Sequence, residues 1–135
     1  MTHILVRSEC RENEKRVGIT PLEAEHVLKK GIKVSIEHSN SRIIPSSKYR
    51  DVGCKIIEEK SWPNAPLETI IFGLKELPDE PFPLKHRHIM FGHAFKNQPM
   101  AETLLKRFKV GGGALYDIEY LAVSYTHLRA HETEA

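Results

Sequence analysis

Two side chains that can exchange protons follow two short apolar runs in the middle of the chain. Lys75 follows the run Glu68–Phe72 and His93 follows the run His88–Phe91, with a glycine directly after each run. Apolar runs of this length, bounded by glycine and proline, are typical of buried parallel strands. Ligands of open α/β sheets bind beyond the carboxyl ends of the strands, where this pattern predicts Lys75 and His93 to lie. A histidine titrates near neutral pH and a lysine can act as a base in suitable surroundings, so the pattern predicts acid–base chemistry.

The same residues also have a purely structural interpretation. A lysine–glutamate pair after a strand, as in Lys75–Glu76, is usually solvated surface, and a single histidine is usually packed. Perturbed titratable groups cluster at functional sites only as a tendency, so spacing alone leaves both interpretations open.

Three histidines, at positions 86, 88 and 93, raise the question of a metal site. His86 and His88 would share one face of a strand. A zinc site, however, needs three or four ligands with supporting partners, and no cysteine or carboxylate lies at a suitable spacing. The sequence therefore predicts no metal.

Composition narrows the class of protein. The 135 residues suffice for one domain, and 40% hydrophobic with 28% charged residues predicts a soluble globular chain. The net charge is +2, from 20 Lys and Arg against 18 Asp and Glu, too balanced to indicate nucleic acid or an anionic membrane as partner. No apolar run approaches a membrane span of roughly 18 residues, and no signal-peptide pattern is present. Cys10 and Cys54 form no CxxC motif, so reduced thiols and a cytoplasmic location are expected.

The order of the elements predicts a sheet built from βαβ units. Thr20, Pro21 and Glu23 form a capping box that starts a helix over Pro21–Lys30, and Gly31 ends it. Flanking strands make the opening a strand–helix–strand unit with a right-handed crossover. The predicted sheet strands are Ile4–Arg7, Lys33–Glu37, Thr69–Phe72, Ile89–Phe91 and Ala114–Tyr116, with a brief further strand at Cys54–Ile57.

Two further helices are predicted. A short one, capped by Ser46 or Ser47, runs through Val52 and ends at Gly53. The other covers Pro99–Lys109 and ends in the triple glycine 111–113, which is a helix exit rather than a phosphate-binding loop. In the helix Pro99–Lys109, three side chains are predicted to face the core: Leu104, Leu105 and Phe108.

Four motifs stand out in the sequence: RVGITP at 16–21, IFGLKE at 71–76, HIMFGHAFKNQ at 88–98 and LYDIE at 115–119. Through them the chain resembles the N-terminal domain of the NAD-dependent, lysine-forming saccharopine dehydrogenases, relatives of alanine dehydrogenase and nicotinamide nucleotide transhydrogenase. The first is shared across the superfamily. The second and third, with the FPL connector before the third, favour the saccharopine dehydrogenases. The resemblance covers about residues 3–121.

The resemblance implies a reaction and a set of site residues. Saccharopine would be oxidised at its secondary amine with NAD, and the imine hydrolysed to lysine and 2-oxoglutarate. Lys75 resembles the family's proton acceptor, and His93 its acid–base residue for imine hydration and breakdown. The other implied residues are the substrate-carboxylate ligands Arg16, Lys96 and, less closely, Arg11, the substrate-contacting amide Gln98, and the carboxylates Glu76 and Glu119 that would tune the Lys and the His.

The resemblance also implies a truncated domain. In that family NAD binds a second, Rossmann-type domain with a Gly-rich turn, and no GxGxxG occurs in this chain. Residues 1–122 are therefore expected to form a three-layer, Rossmann-like or flavodoxin-like α/β domain with a mainly parallel sheet, inactive alone. Residues 123–135 resemble translated sequencing-adaptor read-through and are expected to be a non-native tail. The alternatives are an alanine dehydrogenase-type domain acting on pyruvate, or a stand-alone, non-catalytic module that binds carboxylates.

Overall fold

The computed structural model describes residues 2–9, 18–75, 77–90 and 99–118. These residues form one six-stranded sheet whose strands all run parallel. The strands are β1 (His3–Val6), β2 (Lys33–Glu37), β3 (Lys55–Ile57), β4 (Ile70–Phe72), β5 (Arg87–Met90) and β6 (Ala114–Asp117).

Three α-helices connect the strands: α1 (Pro21–Lys29), α2 (Ser46–Asp51) and α3 (Pro99–Gly111). A 3₁₀ turn covers Trp62–Asn64. The predicted capping box of α1 is confirmed, since the Glu23 N–H donates to Thr20 Oγ1 at 3.2 Å and Glu23 Oε1 accepts from the Thr20 N–H at 3.2 Å. None of the helices within the described ranges is long and apolar enough to cross a lipid bilayer.

The order of the strands is β3-β2-β1-β4-β5-β6. The chain moves from β1 outward to β3, then returns to the other side of β1 and moves outward again from β4 to β6. The direction of winding therefore reverses between β1 and β4. In open α/β sheets, the crevice beyond the carboxyl ends of the strands at such a reversal is the usual ligand site.

Two hydrophobic clusters lie on opposite faces of the sheet and give the domain three layers. Successive strand residues point to opposite faces, so Leu5 joins one cluster and its neighbour Val6 the other. The Val6 cluster lies under α1 and α2, with Ala24 and Tyr49 fully buried. The Leu5 cluster lies under α3, the 3₁₀ turn and the proline-rich connector before β5. Its buried members are Leu5, Trp62, Ile71, Leu77, Leu84, Met90 and Phe108.

Two details of the predicted helices are wrong. Ser46 is the first helical residue of α2 rather than its cap, the cap position is Pro45, and no side chain caps that end. The Ser46 hydroxyl instead contacts His38 Nδ1 at 3.0 Å. Leu105 is 46% exposed, whereas Phe108 is buried and Leu104 packs against the core. Leu105 lies on the outer face because a narrow apolar stripe through Leu104 and Phe108 suffices to cover the sheet.

A fully buried imidazole lies in the Leu5 cluster. His88 has its ring centroid 5.2 Å from Trp62 and 5.4 Å from Phe108, both edge-on. Neither ring nitrogen has a hydrogen-bond partner within the described ranges. Burial, and then the charges of Arg7, His86 and Arg107, lower the pKa of His88 to about 3. The neutral ring therefore serves as an aromatic packing group.

We expect His88 to make the domain sensitive to acid. The unfolded chain binds the proton near the ordinary pKa of 6.5, whereas the folded chain binds it only near about 3. Stability is therefore lost as the pH falls from 6.5, by at most about 1.4 kcal/mol per pH unit. His88→Leu should remove this pH-dependent loss of stability. The difference in the free energy of unfolding between the variant and the parent, measured in urea, should therefore shift in favour of the variant as the pH falls from about 7.5 to about 5. Replacing the exposed His26 by leucine is the control, and parallel pH dependence of the parent and His88→Leu would contradict the assignment.

Candidate active site

Lys75 lies at the reversal point of the sheet. It follows the carboxyl end of β4, and β4 is the strand that pairs with β1 across the reversal. The sheet pairing continues past the strand ends, since the Arg7 N–H donates to the Phe72 carbonyl at 2.9 Å and the Gly73 N–H donates to the Ile89 carbonyl at 3.0 Å. Lys75 itself is half-buried. The one predicted catalytic residue within the described ranges is thus placed in the crevice expected to hold a ligand.

Two charged residues from the end of β1 hold the turn that carries Lys75. Glu9 accepts two main-chain hydrogen bonds, from the Leu74 N–H to Oε2 at 3.0 Å and from the Lys75 N–H to Oε1 at 2.9 Å. The Arg7 guanidinium donates from Nη2 to the Lys75 carbonyl oxygen. Arg7 Nη1 and Glu9 Oε1 are 3.6 Å apart, and both side chains are almost completely buried. We call Arg7, Glu9 and the turn 73–75 the β1–β4 clamp.

The glycine at the start of this turn leaves room for the arginine. A Cβ at Gly73 would overlap Cζ, Nε and Nη2 of Arg7, which is only 1% exposed and cannot swing out into solvent. The absence of a side chain at Gly73 therefore lets the Arg7 guanidinium lie close to the main chain of the turn. This is the local reason why glycine directly follows the apolar run of β4.

A second buried carboxylate anchors the neighbouring loops. Glu37, at the end of β2, is fully buried. Its Oε1 accepts from the Ser8 N–H at 2.9 Å, the Ser8 hydroxyl at 3.1 Å and the Lys60 N–H at 3.0 Å, and its Oε2 accepts from the Trp62 N–H at 2.8 Å. Glu37 thereby ties the residue between Arg7 and Glu9 to the chain that leaves β3.

The remaining predicted site residues lie outside the described ranges. The structure confirms that β4 and β5, the strands before Lys75 and His93, are adjacent and parallel. The shared site of Lys75 and His93 remains a prediction, as do the roles of the other side chains. The residues that fall outside are His93, Arg11, Arg16, Lys96, Gln98, Glu76 and Glu119.

The residues that hold the turn of Lys75 are not among the predicted site residues. The sequence predicts Arg7 and Glu37 only as the last residues of two strands, and it predicts no role for Glu9. One signal was available, because a charged residue that directly ends an apolar strand must either leave the interior or find a partner there. Arg7 and Glu37 both stand at such positions, each at the end of a strand that the sequence identified.

The described part of the crevice does not fit a dinucleotide. The strand order is that of dinucleotide-binding folds, in which a Gly-rich turn after the first strand approaches the pyrophosphate and an acidic residue after the second binds the ribose. Here Arg7, Ser8 and Glu9 follow β1, and both Glu37 oxygens already accept protein hydrogen bonds. The described ends of β1 and β2 therefore lack both the Gly-rich turn and the free carboxylate that a dinucleotide site uses.

Comparison with protein-family models gives a match over nearly the whole chain. The model described as alanine dehydrogenase/PNT, N-terminal domain, matches residues 5–130. Solved structures with the same fold include a transhydrogenase from Sinorhizobium meliloti, with TM-score 0.65 and 16% identity over 86% of this chain and 35% of that one. An L-alanine dehydrogenase has TM-score 0.66 and 18% identity over 86% of this chain and 32% of that one. At these identities the structures show the fold alone.

Curated relatives are considerably more similar in sequence. They include the following three proteins, each named saccharopine dehydrogenase [NAD(+), L-lysine-forming]. The relative from Yarrowia lipolytica is 43% identical over 116 residues, covering 86% of this chain and 31% of its own length. The relatives from Candida albicans and Neurospora crassa are 44% and 42% identical, covering 86% and 89% of this chain and 31% and 32% of their own lengths. The chain thus spans about a third of the length of these relatives.

Proposed function

Because the chain belongs to the alanine dehydrogenase/PNT N-terminal domain family, we propose that it is the substrate-side domain of an NAD-dependent, lysine-forming saccharopine dehydrogenase. The observation that carries the proposal is 43% identity over 116 residues to a relative of that name, with two further relatives at 44% and 42%. The position of Lys75 at the reversal point of the sheet supports it, since a proton acceptor belongs in the substrate crevice.

The proposed reaction oxidises the secondary amine of saccharopine and hydrolyses the imine to lysine and 2-oxoglutarate. NAD, bound by the part of the enzyme beyond this domain, supplies the hydride acceptor. Lys75 takes the proton that leaves the amine, and His93 moves protons during the addition of water and the breakdown of the product. General acid–base groups of this kind contribute about 10²–10⁴-fold in rate.

Binding of the substrate is proposed to depend on cationic side chains, because saccharopine carries three carboxylates. Arg16 and Lys96 are proposed to hold carboxylates, with Arg able to grip one in a bidentate manner, and Gln98 to contact the substrate through its amide. Glu76 and Glu119 are proposed to tune the two catalytic residues. The proposed partners are small molecules, namely saccharopine, lysine and 2-oxoglutarate, and they include neither nucleic acid nor a membrane. The proposed location is the cytoplasm.

The boundary of the domain forms part of the proposal. Residues 1–122 are proposed to carry the family domain, and residues 123–135 to add nothing to its function, even though the match to the family model extends to residue 130. The direct experiment is a chimera in which residues 1–122 replace the matching part of the Yarrowia lipolytica relative. We call this protein the chimera.

We expect the chimera to form NADH from NAD when saccharopine is added and to release lysine and 2-oxoglutarate, whereas the 135-residue chain alone forms no NADH. The reason is that the proposed acid–base residues belong to this domain, whereas the described ends of β1 and β2 lack the features of a dinucleotide site. NADH absorbance, with lysine measured in parallel, is the readout. A folded chimera that turns over alanine but not saccharopine would assign the domain to the alanine dehydrogenase branch, and one that turns over neither would contradict the proposal.

A further inference from the structure

We propose that Arg7 and Glu9 are positioning residues that hold the main chain of Lys75 so that its side chain is presented to the substrate amine. The inference rests on the proposed function, in which Lys75 accepts the amine proton. It goes beyond that function because neither residue belongs to the set implied for catalysis or substrate binding.

The contacts of the β1–β4 clamp fix Lys75 from both sides of its α-carbon. Glu9 Oε1 accepts from the Lys75 N–H at 2.9 Å, and the Arg7 guanidinium donates to the Lys75 carbonyl. Arg7 Nη1 lies 3.6 Å from Glu9 Oε1, which closes a ring through both charged side chains and the peptide groups of Lys75. The same carboxylate accepts from the Leu74 N–H at 3.0 Å, so the residue before Lys75 is held as well.

The clamp is rigid because of where its side chains originate. Arg7 directly follows β1, which pairs with both β2 and β4 in the middle of the sheet, and Arg7 is 1% exposed. The neighbouring Ser8 is bonded to the buried Glu37 through its N–H and its hydroxyl. A site whose supporting residues are locked in this way keeps its reactive group in place, and a misplacement of about 1 Å can cost about 10²-fold in rate.

The charges of the clamp suit a positioning role rather than the binding of substrate. The Glu9 carboxylate is occupied by two main-chain N–H groups and by Arg7. The guanidinium lies against the Gly73 main chain and donates to a protein carbonyl. Because the two opposite charges lie together, the clamp adds little net charge to the crevice, and substrate carboxylates must be held by other cations.

A double-mutant cycle in the chimera tests the inference. We expect Glu9→Ala to lower kcat/KM for saccharopine by about 10²-fold, mainly through kcat, because Lys75 is misplaced. In a Lys75→Met background the same change should cause no further loss, since nothing remains to be positioned. Equal losses in both backgrounds would show a general structural role and overturn the proposal. Glu9→Gln retains one oxygen acceptor and should recover part of the loss, and it replaces Glu9→Ala in the cycle if the alanine variant does not fold.

Thr69→Val is the matched control, because Thr69 is fully buried at the opposite end of β4 and its hydroxyl contacts His3 Nδ1 at 3.3 Å. It should change stability without changing the pH profile of kcat, which Glu9→Ala should alter.

A readout that does not depend on activity is amide hydrogen exchange in the 135-residue chain. There, Glu9→Ala should speed exchange at Leu74 and Lys75 relative to the amides of β4, and unchanged exchange at these two residues would overturn the proposal. If Lys75→Met leaves turnover intact while exchange responds, the proposed role of Lys75 fails and this inference fails with it.

Discussion

In the chimera, Lys75→Met is expected to slow the hydride-transfer step by about 10²–10⁴-fold, the usual contribution of a general acid–base group. Methionine is an unbranched, flexible side chain of roughly similar length to lysine, but it cannot accept a proton. The main-chain contacts of Lys75 to Glu9 and Arg7 do not depend on the side chain, so the turn should keep its shape. The loss should therefore fall on kcat and kcat/KM alike rather than on KM alone.

The measurement combines steady-state kinetics with a substrate deuterium isotope effect. Because the amine proton is proposed to leave together with the hydride, the deuterium isotope effect on kcat should rise in the variant as hydride transfer becomes rate-limiting. Lys48→Met is the control, since Lys48 is an exposed lysine on α2 and is not among the proposed site residues. Turnover of Lys75→Met within a few fold of the Lys48→Met control would refute the proton-acceptor role.

Local patterns were sufficient to predict most of the elements. The capping box at Thr20 and Glu23 marked the first turn of α1, and the apolar runs marked β2, β4 and β5 to within one or two residues. These signals depend on residues a few positions apart and on the alternation or continuity of apolar side chains. The parallel α/β class followed because strands alternated with helical segments.

The order of the strands and the supports of the site depend on contacts that no local pattern contains. Glu9 reaches Lys75 across 66 positions of the chain, and Glu37 reaches Ser8 across 29. Both contacts exist because β1 lies between β2 and β4, an arrangement that is set when the whole sheet assembles. The position of Lys75 could be predicted from its own strand, since the carboxyl ends of parallel strands are where open α/β sheets bind ligands. Its partners could not, because they come from another strand.

The Glu37 carboxylate links three separate parts of the chain. It is fully buried and accepts from three main-chain N–H groups and one hydroxyl, contributed by Ser8, Lys60 and Trp62. The Trp62 ring packs in the Leu5 cluster against His88, so the chain that Glu37 anchors carries one of the largest core side chains. Loss of the carboxylate should therefore loosen both the loop after β1 and the crossover from β3 to β4.

Glu37→Leu is expected to lower the free energy of unfolding by about 3–5 kcal/mol, because several buried donors would lose their acceptor at once. Glu37→Gln should cost less, about 1–2 kcal/mol. The amide oxygen of the introduced glutamine can replace Oε1 as the acceptor for Ser8 and Lys60. The amide NH₂ would then face the Trp62 N–H, and that donor would lose the acceptor that Oε2 provides. Urea unfolding followed by Trp62 fluorescence measures both, with Glu58→Gln, an exposed site just after β3, as the control for charge. A Glu37→Leu protein as stable as the Glu58→Gln control would mean that water satisfies these donors and that the carboxylate does not hold the loops together.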